Sequence, residues 1–171
     1  MTTTLRSKIQ AELAWTWTDH VDTLPIVDSN RLRMSVDLPD GDAEGQADAV
    51  WHASAESLAA DQSTVYELDQ LPQDLFGTTV SIAMAKVKAM LIANTSTTSG
   101  GYLLVGGAPG DAWKEPFGAA GEQIKIPPGG CLLLTNPESG WDVTAGETDL
   151  KIAAAATAAT FDMAILGVLD A

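Results

Sequence analysis

Between Ile9 and Trp17 the apolar residues Ile9, Ala11, Leu13, Trp15 and Trp17 fall on every second position, with Gln10, Glu12, Thr16 and Thr18 among the residues between them. A period of two places those side chains on one face of an extended strand, whereas a helix would scatter them around its circumference. The pattern predicts a half-buried strand that turns Trp15 toward a core. A second alternation, Leu32, Met34, Val36 and Leu38, stops at Pro39-Asp40-Gly41, turn chemistry that closes a strand. The first forty or so residues therefore demand a sheet.

The rest of the chain follows the same rule. Val50 to Leu58 and Thr64 to Leu68 read as extended, and Leu71 to Gly77 as a connecting turn. Thr78 to Asn94 contains the helix formers Ala83, Met84, Ala85, Ala89 and Met90. Its apolar residues nevertheless alternate, through Val80, Ile82 and Met84 and again through Ala85, Val87, Ala89 and Leu91, so it is predicted extended, with Asn94 to Gly101 as a hairpin loop. Short apolar runs then recur at Tyr102–Val105, Gln123–Ile126, Cys131–Thr135, Trp141–Thr144, Leu150–Ala156 and Phe161–Leu166, each bounded by Gly, Pro, Asn or Asp. Evenly spaced short strands without intervening helices imply an all-β fold, a single antiparallel β-sandwich or jelly-roll domain of about eight to ten strands. The expected organisation is a flexible N-terminal arm over 1–8, frayed or ordering on docking, and a sandwich over 9–171.

A chain of 171 residues can bury a core without disulfide or metal staples. Cys131 has no cysteine to pair with and reads as a buried small apolar residue. Acidic side chains outnumber basic ones 23 to 9, for a formal charge of −14, which repels nucleic-acid phosphates and anionic lipid. Neither nucleic acid nor membrane is expected as a partner. The N-terminus lacks the apolar stretch of a signal peptide, so synthesis in the cytoplasm is expected.

Chemistry finds little to work with. His20 and His52 are the only histidines and form no His-x-His pair, which argues against a cupin-type metal centre. One cysteine and two histidines leave a nucleophile without an evident base, and no enzyme is expected. The segment Asp40-Gly41-Asp42-Ala43-Glu44-Gly45 matches the first half of a calcium loop, with Asp48 able to add an oxygen. The closing bidentate glutamate is missing, because Trp51 stands at its position. Two readings stay open for Asp40, Asp42, Glu44 and Asp48: calcium ligands, or a solvated acidic turn; no other cofactor is implied. Of the five tryptophans, Trp113 and Trp141 fall in predicted loops, where each either offers an exposed contact, as to a carbohydrate, or anchors its loop by packing its indole.

The sequences VKAMLIANTSTTSGGYLLVGGA, IKIPPGGCLLLTNPESGWDVTAGETDLKIA and TFDMAILG, with GDAEGQADAVWHA nearer the N-terminus, together resemble β-sandwich virion proteins of tailed bacteriophages. In that group an i-x-N strand end, a PGG turn, a DLKI-like strand and a final ILG strand recur in this order. The resemblance implies a non-enzymatic structural role in the virion, as a head decoration or cement protein bound to the assembled shell, with phage capsid proteins and its own copies as partners and a homotrimer as the expected form. The alternative it leaves is a tail or fibre component with a carbohydrate-binding surface. No catalytic residue is carried over with it.

Overall fold

The computed structural model describes residues 4–21, 24–75 and 77–170 and contains no helix among them. Thirteen strands form: β1 (Ser7–Val21), β2 (Leu24–Leu38), β3 (Ala49–Leu58), β4 (Ser63–Glu67), β5 (Leu71–Leu75), β6 (Thr78–Ile82), β7 (Met84–Asn94), β8 (Leu103–Gly106), β9 (Gln123–Ile126), β10 (Cys131–Thr135), β11 (Trp141–Asp142), β12 (Asp149–Ala154) and β13 (Ala159–Leu169). The fold is all-β, and these strands pair antiparallel throughout. Strands outnumber the expected eight to ten because Ala83 splits the 78–94 run and because 71–75, expected as part of a turn, is itself a strand. Pro72 misled there. It stands in β5, whose only partner is β6, and an edge strand tolerates a missing N–H. Its carbonyl accepts the indole N–H of buried Trp51 at 2.8 Å, tying the small hairpin to the body.

The body is two sheets on one core, ordered β10-β7-β13-β3, with β11 also on β7, and β4-β12-β8-β9. Met90, Ile92, Phe161 and Ile165 from the first sheet meet Leu103, Val105, Leu150 and Ile152 from the second in one buried cluster. The pairs are nested: β3 with β13, β4 with β12, β7 with β10, and β8 with β9. A long hairpin doubled over on itself produces this order.

Asn94 to Gly101, expected as a hairpin loop, instead carries the chain from the first sheet to the second. Buried Asn94 holds the crossing: its Nδ2 donates to the carbonyls of Gly101 (2.8 Å) and Ile126 (3.0 Å), and its Oδ1 accepts the Ser96 N–H (3.1 Å). Its backbone N–H donates to Gly130 O and its carbonyl accepts the Gly129 N–H, both at 2.9 Å, so Asn94 also clamps the Pro127–Gly130 turn. Gly129 has φ of 73°, the left-handed region that makes glycine the natural residue there.

The hairpin β1-β2 is a sheet by itself and pairs with no strand of the body. Residues 1–3 of the segment expected as a flexible arm lie outside the described residues. Ser7 and Lys8 already pair with Leu38 and Asp37, and the Leu5 N–H donates to Asp40 Oδ1 at 2.8 Å.

Two predictions follow from the packing of the body. At Gly167 a Cβ would lie 2.2 Å from the Lys86 carbonyl oxygen and 2.8 Å from the Met84 sulfur. Since backbone cannot easily yield, Gly167→Ala should lower unfolding free energy in urea by about 1–3 kcal/mol or more; an unchanged midpoint would contradict this packing. Tyr66 meets Trp51 edge-on at 5.3 Å, and burial first, then the Glu56 carboxylate, raises its pKa from 10.0 to about 12. The unfolded chain therefore loses this proton before the folded one does, and stability should fall from pH 10 toward 12. Tyr66→Phe should remove that component in denaturant titrations across the same window.

Candidate functional site

Antiparallel register decides which side chains of the β1-β2 hairpin share a face. Ile9 faces Val36, Ala11 faces Met34, Leu13 faces Leu32, Trp15 faces Asn30, Trp17 faces Asp28 and Asp19 faces Ile26. The opposite face pairs Lys8 with Asp37, Gln10 with Ser35, Glu12 with Arg33, Ala14 with Arg31 and Thr16 with Ser29. One face is thus mostly apolar and the other polar. The polar face is self-sufficient, with Lys8 3.7 Å from Asp37 and the Thr16 and Ser29 hydroxyls 3.2 Å apart.

Only the base of the apolar face is covered. Ile9 and Leu38 are buried in a second small cluster with Ala47 and Ala89, against which Leu5, Val36 and Leu166 pack. Beyond that base Leu13 is 68% exposed, Leu32 71%, Trp17 55% and Trp15 40%. Trp15, expected in the core, is therefore on an open surface. The alternation holds, but among the described residues nothing supplies the core it implies. Trp15 holds its orientation through an indole N–H donated to Asp28 Oδ2 at 3.1 Å.

A second open apolar surface lies beside the hairpin base. The outward side chains of β7, β13 and β10 include Leu91, Ala93, Ala164 and Leu133, and they line two shallow depressions of about 230 and 210 Å³ that share Leu91 and Ala164. Both are smaller than the roughly 300–1,000 Å³ of pockets that enclose a small molecule. They suit packed side chains.

The acidic loop is held by hydrogen bonds to the rest of the chain. Asp40 Oδ1 is taken by the Leu5 N–H and Asp48 Oδ1 by the Leu169 N–H, each at 2.8 Å, while Asp42 and Glu44 are exposed. The four carboxylates are not brought together, and among the described residues no group of three or more His, Cys, Asp or Glu is arranged to hold a metal. Lys88 is the residue that sequence reasoning missed. The β7-β13 register passes from Leu166 opposite Ala89 to Gly167 opposite Val87, leaving Lys88 as the extra residue of a bulge. A bulge re-aims a side chain, and the buried Lys88 Nζ donates to the Glu138 carbonyl at 2.6 Å, which also accepts the Gly45 N–H at 3.0 Å. Burial first, then Lys86, lowers its pKa, with Glu138 and Glu44 acting against them. A lysine inside an apolar run was the available signal.

Trp113 and Trp141 are close together but do not form an exposed pair. Trp113, expected as a possible contact, is 2% exposed, packs edge-on against Trp141 at 6.3 Å and Phe117 at 6.2 Å, and donates its indole N–H to the Asp142 carbonyl at 2.9 Å. Its aromatic face is spent inside the molecule. His52 borders the outer-face depression with Asp162, and His20 lies on the polar side of the hairpin opposite Pro25.

The chain matches no family model and no curated protein. Its motifs can still be placed. The i-x-N strand end is Asn94, the PGG turn is the one Asn94 clamps, and the ILG strand end carries the close contact at Gly167.

The lowered pKa of Lys88 gives a prediction with a definite sign. The unfolded lysine holds its proton up to 10.5 while the folded one releases it earlier, so the buried ammonium costs stability at neutral pH and the cost fades as pH rises toward 10.5. Lys88→Met keeps the stem and leaves Glu138 O bonded to Gly45. It should change stability at pH 7 by less than about 1.5 kcal/mol, and the wild type should gain on it with rising pH. A loss of about 3 kcal/mol or more at pH 7 would mean instead that the charge itself holds the acidic loop.

Proposed function

We propose that this chain is a non-enzymatic structural protein of a tailed-phage particle, a capsid decoration or cement protein that binds the assembled shell as a homotrimer. The observation that carries the reading is the hairpin whose apolar face, rich in Leu, Trp and Met, finds no cover beyond its base among the described residues. A two-stranded ribbon is marginal in water without a packing partner. Fifteen residues per strand at about 3.3 Å each make an arm of about 50 Å, far longer than a surface turn requires. Contiguous exposed apolar surface of this kind marks a place where another protein sits.

The rest of the molecule suits such a role. The nested pairing supports reading the sandwich as a jelly roll, a compact frame common in shell proteins. The motifs of the phage resemblance fall on turn and strand-end positions that build this frame, in agreement with a structural rather than a catalytic kinship. The tail or fibre reading with a carbohydrate surface loses support because Trp113 is enclosed, and only Trp141 of that pair keeps partial exposure.

Light scattering on the full-length protein should give three times the 17.9 kDa chain mass. Leu13→Ser with Leu32→Ser, a facing pair on the uncovered part of the arm, should reduce that mass to the monomer without loss of the body's cooperative unfolding. The protein should also co-sediment with shells of the phage that encodes it. A monomer at every concentration that also ignores those shells would overturn the proposal.

A further inference from the structure

We infer that the uncovered apolar face of the arm in one copy lies across the outer face of the β10-β7-β13-β3 sheet in a second copy. The inference rests on the self-assembly reading above and specifies its contact. Three observations converge on it.

The first is continuity. The base of the arm already packs on this sheet in its own chain, where Ile9 and Val36 cover Ala89 and Leu166. Beyond the covered strip the same sheet face continues through Leu91 and Ala164, with Leu91 42% exposed. Arm and sheet therefore pack on one another at the base, and both apolar surfaces run on past that point.

The second is shape. The arm offers large side chains, Leu13, Trp15, Trp17 and Leu32, while the open part of the sheet face sets Ala93 and Ala164 around Leu91 and Leu133, with His52 and Asp162 at its border. Interfaces close when large residues meet small ones. Two arms laid face to face would instead set large against large.

The third is charge. Residues 1–38 carry four of the nine basic side chains and five of the 23 acidic ones, leaving five basic and eighteen acidic residues for the body. Bodies repel one another; the arm as a whole is near neutral, although its apolar face carries Asp19 and Asp28 and its basic Lys8, Arg31 and Arg33 lie on the opposite face, so it meets less opposition from a second body than another body would. One donor face and one receiving face per chain make a head-to-tail contact, which buries every arm when rotation closes a ring.

Two full-length variants test this: Leu13→Arg with Leu32→Arg, lacking the donor surface, and Leu91→Arg, lacking the receiving one. All three positions are exposed in the single chain, so the body should fold. Each variant alone should be monomeric. Mixed one to one, they should form a pair of twice the 17.9 kDa chain mass, because the intact arm of Leu91→Arg fits the intact sheet of the arm variant. Cys131, expected to be buried, is instead exposed, because β10 is an edge strand and the residue pairs with outward Ala93; as the only cysteine it reports independently, and its thiol should label several-fold more slowly in the wild-type oligomer than in Leu91→Arg. An oligomer that survives Leu91→Arg, variants that ignore each other on mixing, or a Cys131 thiol equally reactive in oligomer and monomer would overturn the arm-on-sheet contact while leaving self-assembly standing. A wild type that is monomeric throughout would remove self-assembly and this contact together.

Discussion

A strand has two faces, and a two-layer sandwich has one interior. Each strand that carries apolar residues on its second face, or stands outside the two layers with an apolar face, needs cover from elsewhere. In this chain the interior is completed by the two body sheets, whose inward residues form one cluster around Phe161, Trp51 and Ile92. The β1-β2 hairpin is left outside, amphipathic and fixed only at its root by Ile9 and Leu38. The polar loops, the bulge and the crossing at Asn94 all serve to close the interior. The arm alone has no such service to perform within the chain.

Sequence and structure agree where local periodicity decides the outcome. The alternations at 9–17, 32–38 and 78–94 became strands, the last in two pieces parted at Ala83, and the helix formers Met84 and Ala89 lie extended in β7, where packing outweighs propensity. Disagreement arose where the answer depends on partners distant in sequence. Trp15 obeys the pattern of a core residue, but periodicity names a face and says nothing of what covers it. Asn94–Gly101 has hairpin composition, yet the strands on either side pair in different sheets. Trp113 sits in a stretch with loop chemistry and is buried nonetheless, because its indole finds a carbonyl, Trp141 and Phe117 that no local rule brings near.

Lys88 illustrates the same limit for charge. A cluster of acids between strands invites a divalent cation, and composition alone offers no other counterion nearby. A single-residue bulge turns Lys88 inward and supplies a cation 50 residues away in sequence from the carbonyl it holds. Because the loop's backbone is also fixed by Gly45, Leu5 and Leu169, its shape depends on hydrogen bonds more than on neutralisation. Four acids in sequence thus became one turn with its own internal anchor.

The uneven charge gives the proposed assembly its direction. At physiological salt electrostatic repulsion is screened beyond about 8 Å, so acidic bodies oppose one another mainly when they come close to touching. A contact made through an arm of about 50 Å need not bring whole bodies together. Apolar area then drives association and repulsion selects its geometry, since body-to-body encounters are disfavoured and arm-to-sheet encounters are not. On that physical reading the charge of −14 does not act against oligomerisation. It restricts which surfaces can take part, and leaves the arm as the means by which copies of so acidic a protein can be joined.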